Sequence, residues 1–480
     1  MTYAASSRTG RYAETATALA LLSDRQLEEA LRGAVPLGVG IGGTTALLRV
    51  AGVPVFVKWL VLTDLERRPE HVRSTANMFR LPTFCHYGVG SVGAGAWREL
   101  AAHEMTTNWV LSGQSAAFPL MYHWRVLAGP PKRPPTVEET VEEQAETDRM
   151  VAYWAGSAAV RGRLDALALA SWSVVLFLEY LPQNLDDWLT AQAAQGAGAL
   201  GSACAMVERC LRGGIAFLNG QGLWHFDAHF GNILTDGERL YFTDFGLASS
   251  SRFALSGTEV EFLERHRTHD GCYVATQLVN WLVTALSGAP DRDEFIRGCA
   301  AGDDPAIVPP EAASIIARYA PIAVVMNAFY RTLYLRSRTA PYPAHDLERV
   351  CATIGFWPNA PSDEGNRMMD IQQLAAEHVS RFNDSVAAGD FSTFTDAFAD
   401  DATMTFTSPP LGTFVGRAAI AEAYRLNPPS DTIVLVAVSP SGADAAGLRY
   451  AWSADPTQTA DMSLSWHPDG RVRSLEIALP

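Results

Sequence analysis

Two short motifs hold the side chains best suited to chemistry, H-F-D-A-H-F-G-N at residues 225–232 and D-F-G at residues 244–246. Transfer of a phosphoryl group needs a carboxylate beside the acceptor hydroxyl and oxygen ligands that hold Mg²⁺ against the phosphates of the donor. Asp227 suits the first role, and Asn232 with Asp244 suits the second. We expect His225 to support the loop by hydrogen bonding, and His229 to do the same or to approach the acceptor.

The same side chains permit a second interpretation, a transition-metal site, because imidazole and carboxylate groups are common ligands of such metals. The order H-x-D-x-x-x-x-N followed by D-F-G favours phosphoryl transfer instead, since this order is typical of enzymes that carry phosphate-binding residues upstream. This interpretation predicts phosphate-binding residues upstream of residue 225.

A glycine-rich stretch upstream, G-V-G-I-G-G at residues 38–43, matches the pattern G-x-G-x-x-G. A dinucleotide-binding turn would require a helix directly after the glycines. The sequence instead predicts strands at residues 46–50 and 55–60, joined by a turn, which together form a β-hairpin. Backbone N–H groups approach phosphates closely where no Cβ intervenes, so we expect Gly38, Gly40 and Gly43 to contact them.

The second strand of this hairpin carries Lys58, one of only two lysines among the 37 lysine and arginine residues. A compact ammonium group on a long side chain can lie between phosphate oxygens and a carboxylate of a neighbouring helix. The alternative is a strand-end lysine whose ammonium group reaches solvent. Helical periodicity at residues 96–111 supplies two candidate carboxylates, Glu99 and Glu104. We favour Glu99, which lies nearer the start of the helix, although either carboxylate would also suit a solvated helix surface.

With these motifs, residues 30–300 resemble the protein-kinase-like superfamily, and H-x-D-x-H-x-x-N resembles its aminoglycoside- and choline-phosphotransferase branch. The resemblance implies an α+β, bilobal fold over residues 1–360, with a β-rich N-lobe at about 25–181 and a helical C-lobe at about 182–356. It also implies ATP and Mg²⁺ as cofactors. The implied roles are phosphate contact for Gly38, Gly40 and Gly43, an ion pair for Lys58 and Glu99, the general base for Asp227, metal binding for Asn232 and Asp244, and adenine binding for Glu179 and Leu181.

Two departures from the family pattern bear on the acceptor. Phe226 stands where many regulated protein kinases have arginine, and no A-P-E follows Gly246, so the usual platform for peptide substrates is absent or rebuilt. We expect a small-molecule or natural-product acceptor with a hydroxyl group. The alternatives are a Ser/Thr protein or peptide kinase, and a nucleotide-binding pseudokinase that serves a ligand-binding tail.

The elements around these motifs complete the predicted organisation. Residues 136–168 are acidic and indicate a solvated helical insertion, residues 174–181 a buried strand, and residues 358–366 an interdomain linker. In the tail, 367–480, we predict helices at 369–388, 391–398 and 418–424, then four strands, the last two joined by a turn at 467–471. This spacing resembles the NTF2-like, or SnoaL/polyketide-cyclase-like, α+β cone, which implies a small-molecule pocket or a homodimer. His378 and His467 are the tail histidines, and we expect both to be structural.

Composition limits the partners. A net charge of −15 argues against nucleic acid and anionic membranes, which both need basic surface. Six scattered cysteines without a C-x-x-C pair indicate reduced thiols and a cytoplasmic location. The apolar run at residues 16–22 is a poor signal peptide, and we find no run of about 18 apolar residues that a spanning helix would need.

Overall fold

The computed structural model describes residues 8–40, 43–129, 137–356, 371–408, 412–440, 445–455, 457–467 and 471–478. The chain divides into two units, Met1–Asn359 and Ala360–Pro480, where the sequence predicted domains at 1–360 and 367–480. The predicted linker at 358–366 lies outside the described residues, as does most of the predicted turn at 467–471.

The first unit begins with a five-stranded antiparallel sheet in the order β1-β2-β3-β5-β4. Its strands are β1 (Val35–Gly40), β2 (Gly43–Val50), β3 (Val53–Leu62), β4 (Met121–Ala128) and β5 (Trp172–Glu179). Alternate residues of β3 face opposite sides, as strand geometry requires. Val55 and Val57 pack on one face, while Leu60 and Leu62 pack on the other against helix α3 (Ala96–Leu111). The predicted hairpin and the predicted helix at 96–111 are thus confirmed.

Two helices precede the sheet, α1 (Arg8–Ala20) and α2 (Asp24–Arg32), and cover the face opposite α3. Leu19 and Leu27 are fully buried there. Ser23 begins α2 with a capping box in which its side chain accepts from the N–H of Gln26. The apolar side of α1 is part of the same core as the sheet, so this core begins before residue 25, where the N-lobe was predicted to start.

The acidic insertion is less solvated than its composition predicts. It forms α4 (Val137–Tyr153) and α5 (Ala158–Leu169). Trp154 and Val160 are fully buried, and Arg163 is buried in an ion pair with Glu66. The prediction of a solvated insertion is wrong at these positions because their side chains pack inward, while Glu142, Glu143 and Glu146, which precede them, are exposed.

The rest of the first unit is mainly helical and shares one core. Its helices are α6 (Leu185–Gln195), α7 (Ala197–Gly220), α8 (Gly257–Arg265), α9 (His269–Leu286), α10 (Arg292–Ala301), α11 (Pro310–Leu335) and α12 (Ala344–Ile354). The short strand β6 (Gln183–Asn184) precedes α6, and four more lie between α7 and α8: β7 (Leu223–Trp224), β8 (Ile233–Thr235), β9 (Leu240–Phe242) and β10 (Ser249–Ser250). The motif at 225–232 links β7 to β8, and the D-F-G motif follows β9.

Helix α11 is long and apolar enough, by length and composition, to cross a membrane, and it is the one such helix among the described residues. Half of its most apolar window is buried inside the protein, and the helix packs against α9 and α10. This burial is typical of a core helix.

The second unit places helices on a six-stranded sheet in the order β12-β11-β16-β15-β14-β13. Its elements are α13 (Ile371–Ala388), α14 (Ser392–Thr395), β11 (Phe398–Ser408), β12 (Gly412–Val415), α15 (Arg417–Leu426), β13 (Ile433–Pro440), β14 (Ala445–Trp452), β15 (Thr459–Trp466) and β16 (Val472–Ala478). Strands β11 and β16 are parallel, and the other pairs are antiparallel. The predicted helix at 391–398 is wrong, because only Ser392–Thr395 is helical and Phe398 begins β11; the four strands predicted after α15 are present.

Candidate functional site

The loop at 225–232 is held by Asp270, a buried carboxylate at the start of α9. Asp270 accepts hydrogen bonds from the N–H groups of His225 at 2.7 Å and Phe226 at 2.9 Å. His225 donates from Nε2 to the carbonyl oxygen of Thr243 at 3.0 Å and accepts at Nδ1 from the N–H of Asp227 at 3.3 Å. His225 therefore supports the loop, and these bonds fix the backbone that carries Asp227.

Two residues of the motifs adopt positive φ although neither is glycine, Phe226 and Asp244, both at 62°. Such a conformation costs free energy and persists only where the surrounding packing determines it. The ring of Phe226 is fully buried against Phe262 and His86. The strained backbone is therefore stabilised by the core beneath the site.

Lys58 lies between two carboxylates. Its Nζ is 2.7 Å from Oε1 of Glu99 and 2.8 Å from Oδ1 of Asp244. Burial alone would lower the pKa of Lys58, but the charges of Glu99 and Asp244 outweigh it and raise the pKa above its ordinary value. Of the two candidate carboxylates on α3, Glu99 thus contacts Lys58, whereas Glu104 pairs with Arg73 at 2.5 Å.

Helix α3 is fixed at its start, which positions Glu99. Gly95 precedes the helix and offers no side-chain cap, and Oε1 of the buried Glu66 accepts from the N–H of Ala96 at 3.1 Å instead. A carboxylate at this end also complements the helix dipole. Arg98, in the first turn of the helix, forms a buried ion pair with Glu259 of α8 at 2.8 Å. The helix is thereby held against both the sheet and the helical part of the unit.

Asp227 faces the same region, and its side chain is 22% exposed. Burial, reinforced by the negative charge of Asp244, raises the pKa of Asp227 to about 7. The amide Nδ2 of Asn232 donates to the carbonyl oxygen of Asp227 at 3.0 Å and to its Oδ2 at 3.3 Å. A carboxyl group with a pKa near neutrality is suited to accept a proton during a reaction.

The side chains of Asn232 and Asp244 retain oxygen atoms for a metal ion. With Nδ2 of Asn232 bonded to Asp227, its amide oxygen has no hydrogen bond to another described residue. Asp244 uses Oδ1 for Lys58, and its side chain is 40% exposed. Burial would raise the pKa of Asp244, but Lys58 dominates and lowers it to about 2, so the carboxylate stays ionised. One carboxylate and one amide oxygen fit Mg²⁺, which takes few protein ligands and completes its shell with phosphates and water.

A transition-metal site is not favoured by this arrangement. Both ring nitrogens of His225 are used in hydrogen bonds, and Nδ1 of His229 accepts from the N–H of Gly231 at 3.1 Å. Nε2 of His229 lies 4.0 Å from Oδ2 of Asp227. Within the described parts of the chain, no group of three or more His, Cys, Asp or Glu side chains is arranged to hold a metal ion.

These residues line one cleft of about 950 Å³ in the first unit. Its walls come from β3, the start of α3, the C-terminal part of α5 and the two motifs, together with residues 88–95. The described site residues in its lining are Glu99, Asp227, His229, Asn232 and Asp244. The structure thus brings together the carboxylates of Glu99, Asp227 and Asp244 and the amide of Asn232 at one cleft, with Lys58 paired to two of these carboxylates.

Other predicted site residues lie elsewhere. Gly38 and Gly40 lie on β1, and Gly43 begins β2. None of these glycines is among the described residues that line the cleft, whereas the neighbouring Thr44 is. Neither Glu179 nor Leu181 is among the described lining residues. The carboxylate of Glu179 instead accepts from Arg8 of α1, whose Nε and Nη2 lie 3.0 and 2.6 Å from its oxygens.

No residue of the segment 88–95 was predicted from the sequence to be a site residue. Residues 88–93 read G-V-G-S-V-G and repeat the pattern G-x-G-x-x-G of residues 38–43, so a signal was present. A Cβ added to Gly88 would lie 2.0 Å from Oδ1 of Asp227. Asp270, Glu66 and Arg163 were also missed, because isolated charged residues carry no motif.

In the second unit the two histidines differ. His378 on α13 is buried between the rings of Phe394 and Phe398, and burial, followed by the charge of Arg381, lowers its pKa to about 3. Its environment is that of a neutral core residue. Nε2 of His467 lies 3.3 Å from Oδ1 of Asp401, near the surface.

Comparison with known proteins finds similarity among solved structures. No protein-family model and no curated protein matches the chain. SalBIII, an epoxide hydrolase/cyclase-like enzyme with a role in pyran ring formation in the polyether salinomycin, matches at 22% identity over 23% of this chain and 93% of its own, with a TM-score of 0.19. A SnoaL-like protein of unknown function from Burkholderia thailandensis matches at 21% identity over 23% of this chain and 96% of its own (TM-score 0.19). An NTF2-like protein of unknown function from Burkholderia xenovorans matches at 17% identity over 23% and 87% (TM-score 0.19). Part of the chain, about 23%, is thus similar to SnoaL-like and NTF2-like structures.

Proposed function

We propose that this chain is an ATP- and Mg²⁺-dependent phosphotransferase of the protein-kinase-like fold that transfers the γ-phosphate to a hydroxyl group of its acceptor. One observation supports this most strongly. The ammonium group of Lys58 lies within 2.8 Å of both Glu99 and Asp244, and these two carboxylates line the cleft that also contains Asp227 and Asn232. A five-stranded antiparallel sheet next to a helical region is also the architecture that the family resemblance implies.

Each residue has a separate task in this proposal. Lys58, oriented by Glu99, binds phosphate oxygens of the nucleotide, and its raised pKa keeps it charged. Asp227 accepts the proton of the acceptor hydroxyl as that oxygen attacks the γ-phosphorus. His225 holds the backbone of Asp227, and the nearby His229 contacts the acceptor. The family resemblance alone assigns Gly38, Gly40 and Gly43 to the phosphates and Glu179 and Leu181 to adenine, because none of the five is among the described residues that line the cleft.

Asn232 and Asp244 would hold Mg²⁺ through an amide oxygen and a carboxylate oxygen. When bound, Mg²⁺ would offset the negative charge of the β- and γ-phosphates. The low pKa of Asp244 keeps this ligand ionised at neutral pH.

The experiment compares the wild type with Asp227→Asn and Asp244→Ala, measuring both Mg-ATP binding and ATP turnover. Asp227→Asn should bind Mg-ATP as the wild type does, while turnover falls by roughly 100- to 10,000-fold, the usual contribution of a general base. Asp244→Ala should weaken binding that depends on Mg²⁺. The control is Asp346→Asn, on an exposed surface, which should change neither quantity. Turnover of Asp227→Asn at the wild-type rate would show that Asp227 is not the base.

Two alternatives keep the same nucleotide site. A Ser/Thr protein or peptide kinase would label proteins, and a pseudokinase would bind Mg-ATP without turnover. Label transfer from γ-labelled ATP distinguishes the three.

We also propose that the second unit is an NTF2-like α+β cone that binds a small molecule or joins two copies of the chain. The support is its layout, in which α13 and α15 pack on a six-stranded sheet. Val434 and Val436, each 55% exposed on the edge strand β13, suit an association of two copies. Sedimentation equilibrium of the full chain tests the association, and a monomer at micromolar concentration would contradict the association of two copies.

A further inference from the structure

We infer that residues 86–95 form one wall of the acceptor site, and that the acceptor is an uncharged, largely apolar small-molecule alcohol. This inference rests on the proposed phosphotransferase function and adds the substrate class. It starts from the contact between Gly88 and Asp227, which places this segment directly beside the proposed base.

The segment at 86–95 is anchored to the helical part of the unit at several points. Nδ1 of His86 donates to the carbonyl oxygen of Leu247 at 3.0 Å, and the hydroxyl group of Tyr87 donates to Nε2 of His266 at 2.6 Å. The N–H of Ala94 donates to the carbonyl oxygen of Gly246 at 3.0 Å. These bonds hold the segment across the cleft on both sides of Gly88.

The insertion supports the same segment from the other side. Nε1 of the buried Trp154 donates to the carbonyl oxygen of Gly90 at 3.3 Å, and the ring of Trp154 stacks on Phe84. The hydroxyl group of Tyr334 on α11 donates to the carbonyl oxygen of Gly88 at 3.4 Å. A protein acceptor presents its hydroxyl on an extended backbone, which would have to pass this segment to reach Asp227.

The charges around the cleft indicate an uncharged acceptor. Among the described lining residues, the carboxylates are Glu99, Asp227 and Asp244, and all three belong to the proposed catalytic group. Arg163, a cation in the lining, is neutralised by Glu66 at 2.8 Å. A polycation such as an aminoglycoside needs unpaired carboxylates away from the phosphates, and an acidic acceptor needs an unpaired cation.

The remaining walls offer apolar side chains from four parts of the chain, Val92, Leu167, Trp172 and Leu247. The uncharged hydroxyl groups of Thr44, Ser91, Ser171 and Ser173 lie beside them in the lining. A volume of about 950 Å³ is near the upper limit of roughly 300–1,000 Å³ for small-molecule sites, and it has to hold the phosphates as well. The cleft therefore suits a compact, uncharged body that packs on the apolar side chains and carries one hydroxyl group to Asp227.

The test measures transfer of label from γ-labelled ATP to three kinds of acceptor in parallel. They are a panel of neutral aromatic and aliphatic alcohols, a Ser/Thr peptide library, and aminoglycosides. Val92→Trp fills the cleft beside the segment, and Val72→Trp is its control, because Val72 is 50% exposed and not part of the cleft lining. Mg-ATP binding is measured by thermal shift for each variant.

We expect transfer to at least one neutral alcohol, a loss of that transfer of tenfold or more in Val92→Trp with an unchanged KM for ATP, and no loss in Val72→Trp. Transfer chiefly to peptides or to aminoglycosides would overturn the inference while leaving the proposed function intact. Transfer to none of the three, or a Val92→Trp variant with full activity, would also overturn it. A wild type that does not bind Mg-ATP would instead contradict the proposed function.

Discussion

The surroundings of Asp227 favour the neutral form of its carboxyl group. It is partly buried, Asp244 is a negative neighbour, and Lys58 is occupied by Glu99 and Asp244. The result is a pKa of about 7, far above the ordinary value of an aspartate. An aspartate tuned in this way can take up a proton near neutral pH, which is what the proposed reaction asks of it.

The pH dependence of turnover follows from this pKa. Asp227 has to be deprotonated to act as a base, so kcat/KM should rise with pH and level off above about 7. At pH 6, well below this value, activity should be roughly tenfold lower than on the plateau. A pH profile of kcat/KM from pH 5 to 9 measures it. A profile that is flat across this range would contradict the assignment of Asp227.

Gly88 gives a second prediction at the scale of one residue. Ala at this position would bring its Cβ to 2.0 Å from Oδ1 of Asp227, so the carboxylate has to move away. We expect Gly88→Ala to lower kcat by tenfold or more and to leave the KM for ATP unchanged, because Lys58 and Asp244 are not displaced.

The matched control is Gly213→Ala. Gly213 lies on α7, where an added Cβ meets no atom within 4 Å, so this variant should keep full activity. Steady-state kinetics of both variants measure the effect. A Gly88→Ala enzyme with wild-type kcat would show that Asp227 tolerates the displacement.

Among the helices and strands, the sequence predicted those whose apolar residues follow a regular period. The hairpin of β2 and β3 and helix α3 were found because their apolar residues alternate or repeat as the element requires. Strand β4 was not predicted, since a bulge between Met121 and His123 breaks its alternation. The predicted helix at 391–398 extended to the first residue of β11 because Phe391, Phe394 and Phe398 repeat at helical spacing, while their rings pack into one cluster from different elements.

Helix α1 should contribute to the stability of the first unit. Leu19, near the end of this helix, is fully buried, and Leu21, just after the end, is 80% exposed. Removing buried side-chain atoms destabilises a core, so Leu19→Ala should lower the free energy of unfolding by about 2–5 kcal/mol. Leu21→Ala should change it by less than about 0.5 kcal/mol. Denaturant unfolding of the full chain measures both, and equal effects would show that α1 is not part of this core.

On the scale of the whole molecule, the chain consists of two units with separate cores. Among the described residues, the buried clusters of the first unit end at Phe356, and the buried cluster of the second begins at Ala375. The sequence placed the division here because residues 358–366 are polar and contain proline and glycine. It could not place Glu66, Arg163 or Gly88 at the site, because those contacts join residues far apart in the chain and depend on packing that no local pattern encodes.

Separate cores predict that a fragment of residues 1–359 folds and binds Mg-ATP within about twofold of the full chain's affinity. Circular dichroism establishes folding, and calorimetric titration measures binding. A folded fragment that binds tenfold more weakly would show that the second unit contributes to the nucleotide site.

In the proposed function, Lys58, Asp244 and Asn232 bind one nucleotide together with Mg²⁺. Calorimetric titration of the full chain with Mg²⁺ and a non-hydrolysable ATP analogue measures this binding, comparing the wild type with Lys58→Met. The control is Lys132→Met, which changes the chain's other lysine. We expect one bound nucleotide per chain, binding weakened at least tenfold in Lys58→Met, and no change in Lys132→Met. Equal affinity in the wild type and Lys58→Met, or no binding by the wild type, would rule out this nucleotide site.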